Sequence, residues 1–328
     1  MHFKALFLII CAVFSTCAWA QKSSIECLPD EQGSLELIAI RPGFFTVNGR
    51  MGQFDPCESL VKFRIPSGSG KKPLLISVHG GSGIQDVLMS DEAFFQQGMA
   101  TLVFDAYAMQ GLKGKAPLFW ARSVTNEARQ RMIFATTLAA YRWALKRDDI
   151  DTRRIFLFGI SNGAAVIANM AALVDPAHVK GVIAEGITPI GMGLPDEIKV
   201  PLLLAFGKLD DFGISDLNGK RWDLSEDCRL NIQVAQAPHG SAATCNQSTP
   251  GKKIPTPLEW AESVQKKGGL VEILYVEDMA HNAFFGPLLK RRATWGNGQT
   301  LGASVGATPR ARDLFFQSVN EFIARHDK

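Results

Sequence analysis

A serine that attacks a carbonyl needs three kinds of help. Its Oγ must stand clear of the backbone, a base must take its proton, and donors must meet the oxyanion that forms. Ser161 lies in Gly159-Ile160-Ser161-Asn162-Gly163, after the apolar run Phe156-Leu157-Phe158 and before Ala164-Ala165. A strand that breaks into Gly-x-Ser-x-Gly and then into a helix puts the serine on a sharp turn. Small flanking residues fit, because such a turn brings neighbouring chain close. The following helix opens with unpaired N–H groups and the positive end of its dipole. The pentapeptide alone is common; the strand before it and the helix after it give it meaning.

The chain order that accompanies this motif is serine, then acid, then histidine. Leu202 to Phe206 runs into Gly207-Lys208-Leu209-Asp210-Asp211, and Leu270 to Val276 runs into Glu277-Asp278-Met279-Ala280-His281. His281 is therefore the candidate base and Asp210 the candidate acid. Asp211 is next, and Glu185, at the end of an earlier strand, is the outside alternative. His239 is a distant second base; His2, His178 and His326 stand in the leader or beside surface helices. An earlier loop, His79-Gly80-Gly81-Ser82-Gly83, follows another apolar run. A glycine loop there can turn a backbone N–H into the site, from Gly81 or Ser82, with Gly81 favoured. The second oxyanion donor is Asn162 N–H. His79 reads as a brace for its loop rather than a catalytic group. Tyr107, Met109, Trp120 and Arg122 follow a strand ending at Asp105 and are candidates to line a substrate pocket, or ordinary packing residues.

The elements that must position these groups alternate. Short apolar runs at Leu74–Val78, Ala100–Phe104, Arg154–Phe158, Val179–Ala184, Leu202–Phe206 and Leu270–Val276 read as strands. Leu35–Ile40 and Leu60–Ile65 alternate as half-buried strands do. Asn126–Lys146, Asn162–Leu173 and Thr308–Arg325 read as helices, the last with Leu314, Phe315, Val319, Phe322 and Ile323 on one face. This is α/β organisation, with a mostly parallel sheet covered on both faces. A long polar stretch, about 212–268, interrupts the pattern before His281 and reads as an insertion, either a wall over the site or a surface excursion.

The whole chain narrows the function classes. Its 328 residues, 46% hydrophobic and 20% charged, suit one large globular core over 21–328. A net charge of +3 and the lack of a basic, aromatic-interleaved patch argue against nucleic acid as a partner. Lys290-Arg291-Arg292 is a short solvated cluster. Residues 1–20 read as a signal peptide: Lys4, an apolar run from Ala5 to Phe14, and Ala18-Trp19-Ala20 for cleavage. The run is short for a membrane span, so no span is expected to remain after cleavage. A secreted or periplasmic location follows. Cys11 and Cys17 leave with the leader, and Cys27, Cys57, Cys228 and Cys245 remain. Four cysteines in an oxidising compartment allow three pairings, of which Cys27–Cys57 with Cys228–Cys245 is favoured because each closes a modest loop. The lack of a C-x-x-C pair and of ligand-spaced histidines argues against zinc.

Taken together, the glycine loop at 79–83, the Ser161 pentapeptide, Gly207-Lys208-Leu209-Asp210 and His281-Asn282-Ala283-Phe284 resemble those of the α/β-hydrolases. Within that superfamily the chain resembles dienelactone hydrolase-like secreted proteins, over roughly residues 60 to 325. The resemblance implies an eight-stranded, mostly parallel sheet, no cofactor and a small-molecule ester substrate. Two departures stand out. Position 161 is serine where the founding dienelactone hydrolases use cysteine, and the cysteine-bearing insertion departs from a compact core. The expected function is a secreted serine hydrolase of carboxylic esters. The alternatives are a prolyl-oligopeptidase-like peptidase and a non-catalytic, ligand-binding member of the fold.

Overall fold

Seven strands form the central sheet: β1 (Val61–Arg64), β2 (Lys72–Val78), β3 (Ala100–Phe104), β4 (Ile150–Ile160), β5 (Val179–Glu185), β6 (Leu202–Gly207) and β7 (Val271–Val276). Their spatial order is β7-β6-β5-β4-β2-β3-β1, and all pairs are parallel except β1 with β3. The computed structural model describes residues 61–109, 126–187, 191–210, 253–290 and 304–327, with short strand segments at 46–47, 50–51, 222–223, 292–294 and 300–302. Among the described residues the sheet thus has seven strands, not the eight expected. The run Leu35–Ile40, read as a further strand, lies outside them.

The strands are apolar almost throughout because both faces are covered. Successive side chains feed opposite cores. Leu74, Ile76, Ile155, Leu157, Leu204 and Phe206 enter one, while Leu75, Phe156, Phe158, Leu203 and Ala205 enter the other. The first core is closed by α3 (Asn126–Ala144), α4 (Asn162–Ala171) and α5 (Pro257–Lys266). The second is closed by α1 (Leu88–Gln96), through Phe94, and by α6 (Pro309–His326), through Phe315, Val319 and Phe322. The short α2 (Ala106–Met109) follows β3.

Helix α5 corrects the bounds of the expected insertion. It begins in a capping box, where Thr256 Oγ1 accepts from Glu259 N–H and the Glu259 carboxylate accepts from Thr256 N–H. It buries Trp260, Ala261 and Val264. It is the crossover that the parallel neighbours β6 and β7 require. The polar composition of the preceding stretch masks this short amphipathic pattern. An antiparallel ribbon pairs Trp222–Asp223 with Lys253–Ile254. Cys27, Cys57, Cys228 and Cys245 fall outside the described residues, as does the leader at 1–20.

Candidate active site

Strand register brings the sequence motifs to one edge. Val78 pairs with Gly159, Ile160 with Glu185, and Glu185 with Ala205. The chain segments that leave the carboxyl ends of β2, β4, β5 and β6 therefore begin side by side, where open α/β sheets keep their sites.

Ser161 leaves β4 and caps α4 with φ 57° and ψ −116°. A non-glycine residue held there is strained, by about 1–3 kcal/mol. Two glycines permit the turn. A Cβ on Gly159 would stand 2.6 Å from Gly163 O, and one on Gly163 would stand 2.3 Å from Val78 O. Ser161 N–H donates to Glu185 O at 2.9 Å, which fixes the turn to β5.

The candidate acid and base are in contact. His281 Nδ1 and Asp210 Oδ2 are 2.9 Å apart in a buried setting. Asp210 is 6% exposed and His281 9%. The loops that carry them are joined, since Leu209 N–H donates to Met279 O at 2.8 Å. Gly207 makes room, because a Cβ there would lie 2.2 Å from that same carbonyl oxygen. Gly186 is the floor under the imidazole: a Cβ there would sit 2.8 Å from His281 Nδ1 and 3.3 Å from Asp210 Oδ2. Ser161 N–H is anchored to Glu185, the residue just before Gly186, so the serine turn and the imidazole both abut the end of β5. Burial works against the charged imidazole, but Asp210 first, then Glu185 and Asp86, outweigh it and hold the His281 pKa above its ordinary value.

Glu185 accepts Ala283 N–H at 2.5 Å, two residues past His281. Its other oxygen, Oε2, is buried without a hydrogen-bond partner among the described residues. Burial pushes this carboxyl up to about 7, opposed by the Ala283 N–H and by His281. Asp210, not Glu185, is thus the group on the imidazole; Asp211 and His239 lie outside the described residues.

The glycine loop packs against the serine. A Cβ on Gly80 would be 3.0 Å from Ser161 Cβ. His79 braces the loop: its Nδ1 lies 2.7 Å from Gly80 O, and its Nε2 accepts Ala106 N–H at 2.9 Å. Ser82 N–H donates to Asp86 Oδ2 at 3.1 Å, so of the two candidate donors it is the one already engaged. At the other side, the Asn162 side chain does not face a substrate. Its Oδ1 accepts from Gln130 Nε2 at 3.1 Å, and Gln130 Oε1 accepts Met192 N–H at 2.8 Å. Tyr107 is 3% exposed with its ring against His79, centroids 5.0 Å apart, a place in packing rather than on a pocket wall. Trp120 and Arg122 lie outside the described residues, and nothing of the Met109 side chain is described.

Sequence reasoning passed over Asp86, Gln130, Gly186 and Arg312. Arg312 on α6 donates to Ala283 O at 3.0 Å, pinning the histidine turn from the helix side. None sits in a recognisable motif; only Asp86, three residues beyond the glycine loop, carried a positional hint. Among the described residues no cluster of three or more His, Cys, Asp or Glu could hold a metal, and no helix is long and apolar enough to cross a membrane.

No family model matches the sequence. Two uncharacterized 31.7 kDa proteins of the traX-finO intergenic region of Escherichia coli are 32% and 30% identical over 127 residues. Those residues are 38% of this chain and 41% of each relative, so the chain matches about two-fifths of their length. Among solved structures, a Klebsiella pneumoniae protein assigned as a dienelactone hydrolase superposes with a TM-score of 0.52 at 14% identity, over 81% of this chain and 93% of that one. An acylaminoacyl peptidase in complex with Z-Gly-Gly-Phe-chloromethyl ketone gives 0.51 at 16% identity, over 85% and 41%. What these structures share with the chain is a fold, seen here as a mostly parallel sheet covered on both faces. The chain thus has the α/β-hydrolase fold, with a protein assigned as a dienelactone hydrolase among its structural neighbours.

Proposed function

We propose that this protein is a serine hydrolase that cleaves carboxylic esters through Ser161, His281 and Asp210. The observation that carries the reading is the buried 2.9 Å contact of His281 Nδ1 with Asp210, beside a serine held in a strained turn at the head of α4. Asp210 accepts the Nδ1 proton, which sets Nε2 as the nitrogen that takes the proton of Ser161 Oγ as it attacks the carbonyl carbon. The oxyanion is met by the N–H groups of Gly81 and Asn162. His281 then protonates the leaving alcohol, and the acyl-enzyme is hydrolysed by water with His281 again as base. The leader pattern at 1–20 and the four remaining cysteines support an exported enzyme.

A dienelactone hydrolase and a peptidase both stand among the fold neighbours, so the choice of ester over amide rests on chemistry to be measured. The test uses a p-nitrophenyl ester and a p-nitroanilide with the same acyl group. The reading predicts turnover of the ester well above the anilide, with Ser161→Ala reducing it by about 10⁴-fold or more. Preferred cleavage of the anilide would instead identify a peptidase.

A further inference from the structure

Asp86 has no part in serine, histidine and acid chemistry, yet it lies at the centre of the site. It closes a short 3-10 turn, Ile84–Asp86, just after the glycine loop, and it is 7% exposed. Its Oδ2 accepts Ser82 N–H at 3.1 Å. A Cβ on Gly80 would be 2.9 Å from the same oxygen and 3.0 Å from Ser161 Cβ, so Gly80 stands between Asp86 and the nucleophile. The Gly80 N–H is also drawn to this carboxylate, and His79, His281 and Tyr107 all feel its charge. From its main chain, Asp86 O accepts Asn282 Nδ2 at 3.1 Å. Asn282 follows His281 and holds a left-handed φ of 59°.

The loop needs such a restraint. Gly80, Gly81, Ser82 and Gly83 offer few side chains to fix themselves, and Gly83 takes φ 90°. Several of its N–H groups could swing toward a carbonyl, but an oxyanion is stabilised only by donors that are already aimed. We propose that Asp86 is the positioning residue of the oxyanion loop: its carboxylate holds the flanking N–H groups of Gly80 and Ser82, leaves Gly81 N–H as the loop's donor, and through Asn282 ties that donor to the histidine turn. The proposal rests on the ester-hydrolase reading above.

The test compares Asp86→Asn with the wild type. An amide keeps the size but replaces one acceptor oxygen with an NH₂ that faces other donors. For an activated ester, kcat falls about 10- to 100-fold with KM nearly unchanged, short of the roughly 100- to 1,000-fold loss that follows outright removal of an oxyanion donor. Affinity for a boronic acid carrying the same acyl group falls by a similar factor. A purely structural Asp86 would lower the melting temperature without that selective loss. The wild type supplies a second readout that needs no variant. On boronate binding, the amide proton of Gly81 moves downfield, while that of Ser82, already bonded to Asp86, stays near its free position. Full kcat in Asp86→Asn, in a protein whose Ser161→Ala variant is inactive, overturns this proposal alone. So does a boronate-induced shift of Ser82 in place of Gly81.

Discussion

Two buried residues make the site sensitive to pH in opposite senses. In the proposed mechanism His281 is a base only when neutral, and against the effect of burial Asp210, Glu185 and Asp86 hold its pKa above the ordinary 6.5. The acid limb of kcat/KM should therefore have its midpoint above 6.5, and Asp210→Asn, which removes the largest raising influence, should move that midpoint down while lowering the rate. A wild-type midpoint below 6.5 would contradict the electrostatic picture. Glu185 behaves differently, because burial raises it from 4.5 to about 7. Its folded form holds a proton that the unfolded chain has already released. That contribution is complete below pH 4.5 and is lost as pH rises through about 7, a decline on the order of 3 kcal/mol at about 1.4 kcal/mol per pH unit. Urea unfolding at pH 5 and pH 8 should show a smaller gap for Glu185→Gln than for the wild type. Ser161, Asp210 and His281 stood out as candidates because each follows an apolar run in the right order. The Asn162 side chain was not, since its partner Gln130 comes from another helix, 32 residues away in the chain.

At the scale of elements, close backbone approach decides where glycine is required. Gly163 lets α4 start against the end of β2, where any Cβ would meet Val78 O and His79 O within 2.5 Å. Neither carbonyl is the far end of a flexible side chain. Gly163→Ala should lower stability by about 2 kcal/mol or more, measured by denaturant midpoint, since overpacking against backbone is among the larger single-residue effects. Gly186→Ala would act on the reaction as well, because its methyl group would press on His281 and Asp210 and φ 58° already disfavours a side chain. The strands were readable as apolar runs, with ends shifted by a few residues: β4 extends back to Ile150, through the polar Asp151, Thr152 and Arg153. Helix α1 went unread. Its sequence, LMSDEAFFQ, leaves Leu88 and Met89 exposed while burying Ser90 and Asp91, so it shows no clean apolar stripe. Asp91 is instead held by Arg64 of β1, a pairing across 27 residues that no local pattern announces.

At the scale of the whole molecule, two apolar cores sandwich a sheet whose carboxyl edge gathers the chemistry, and the turns there are fastened to one another. Residues 304–307 hold the histidine segment: Ala280 N–H donates to Gly306 O at 2.8 Å, and Gly306 N–H returns to His281 O at 2.9 Å. Such non-local ties are invisible in sequence, which is why the fold and the candidate residues could be read while their supports could not. The central claim is that this edge activates Ser161. It is tested most directly by exposing the folded protein to a fluorophosphonate and locating the adduct by peptide mass. The account predicts one label, on Ser161, abolished in Ser161→Ala and strongly slowed in His281→Ala. A well-folded protein that takes no label, or takes one that persists in Ser161→Ala, would contradict it.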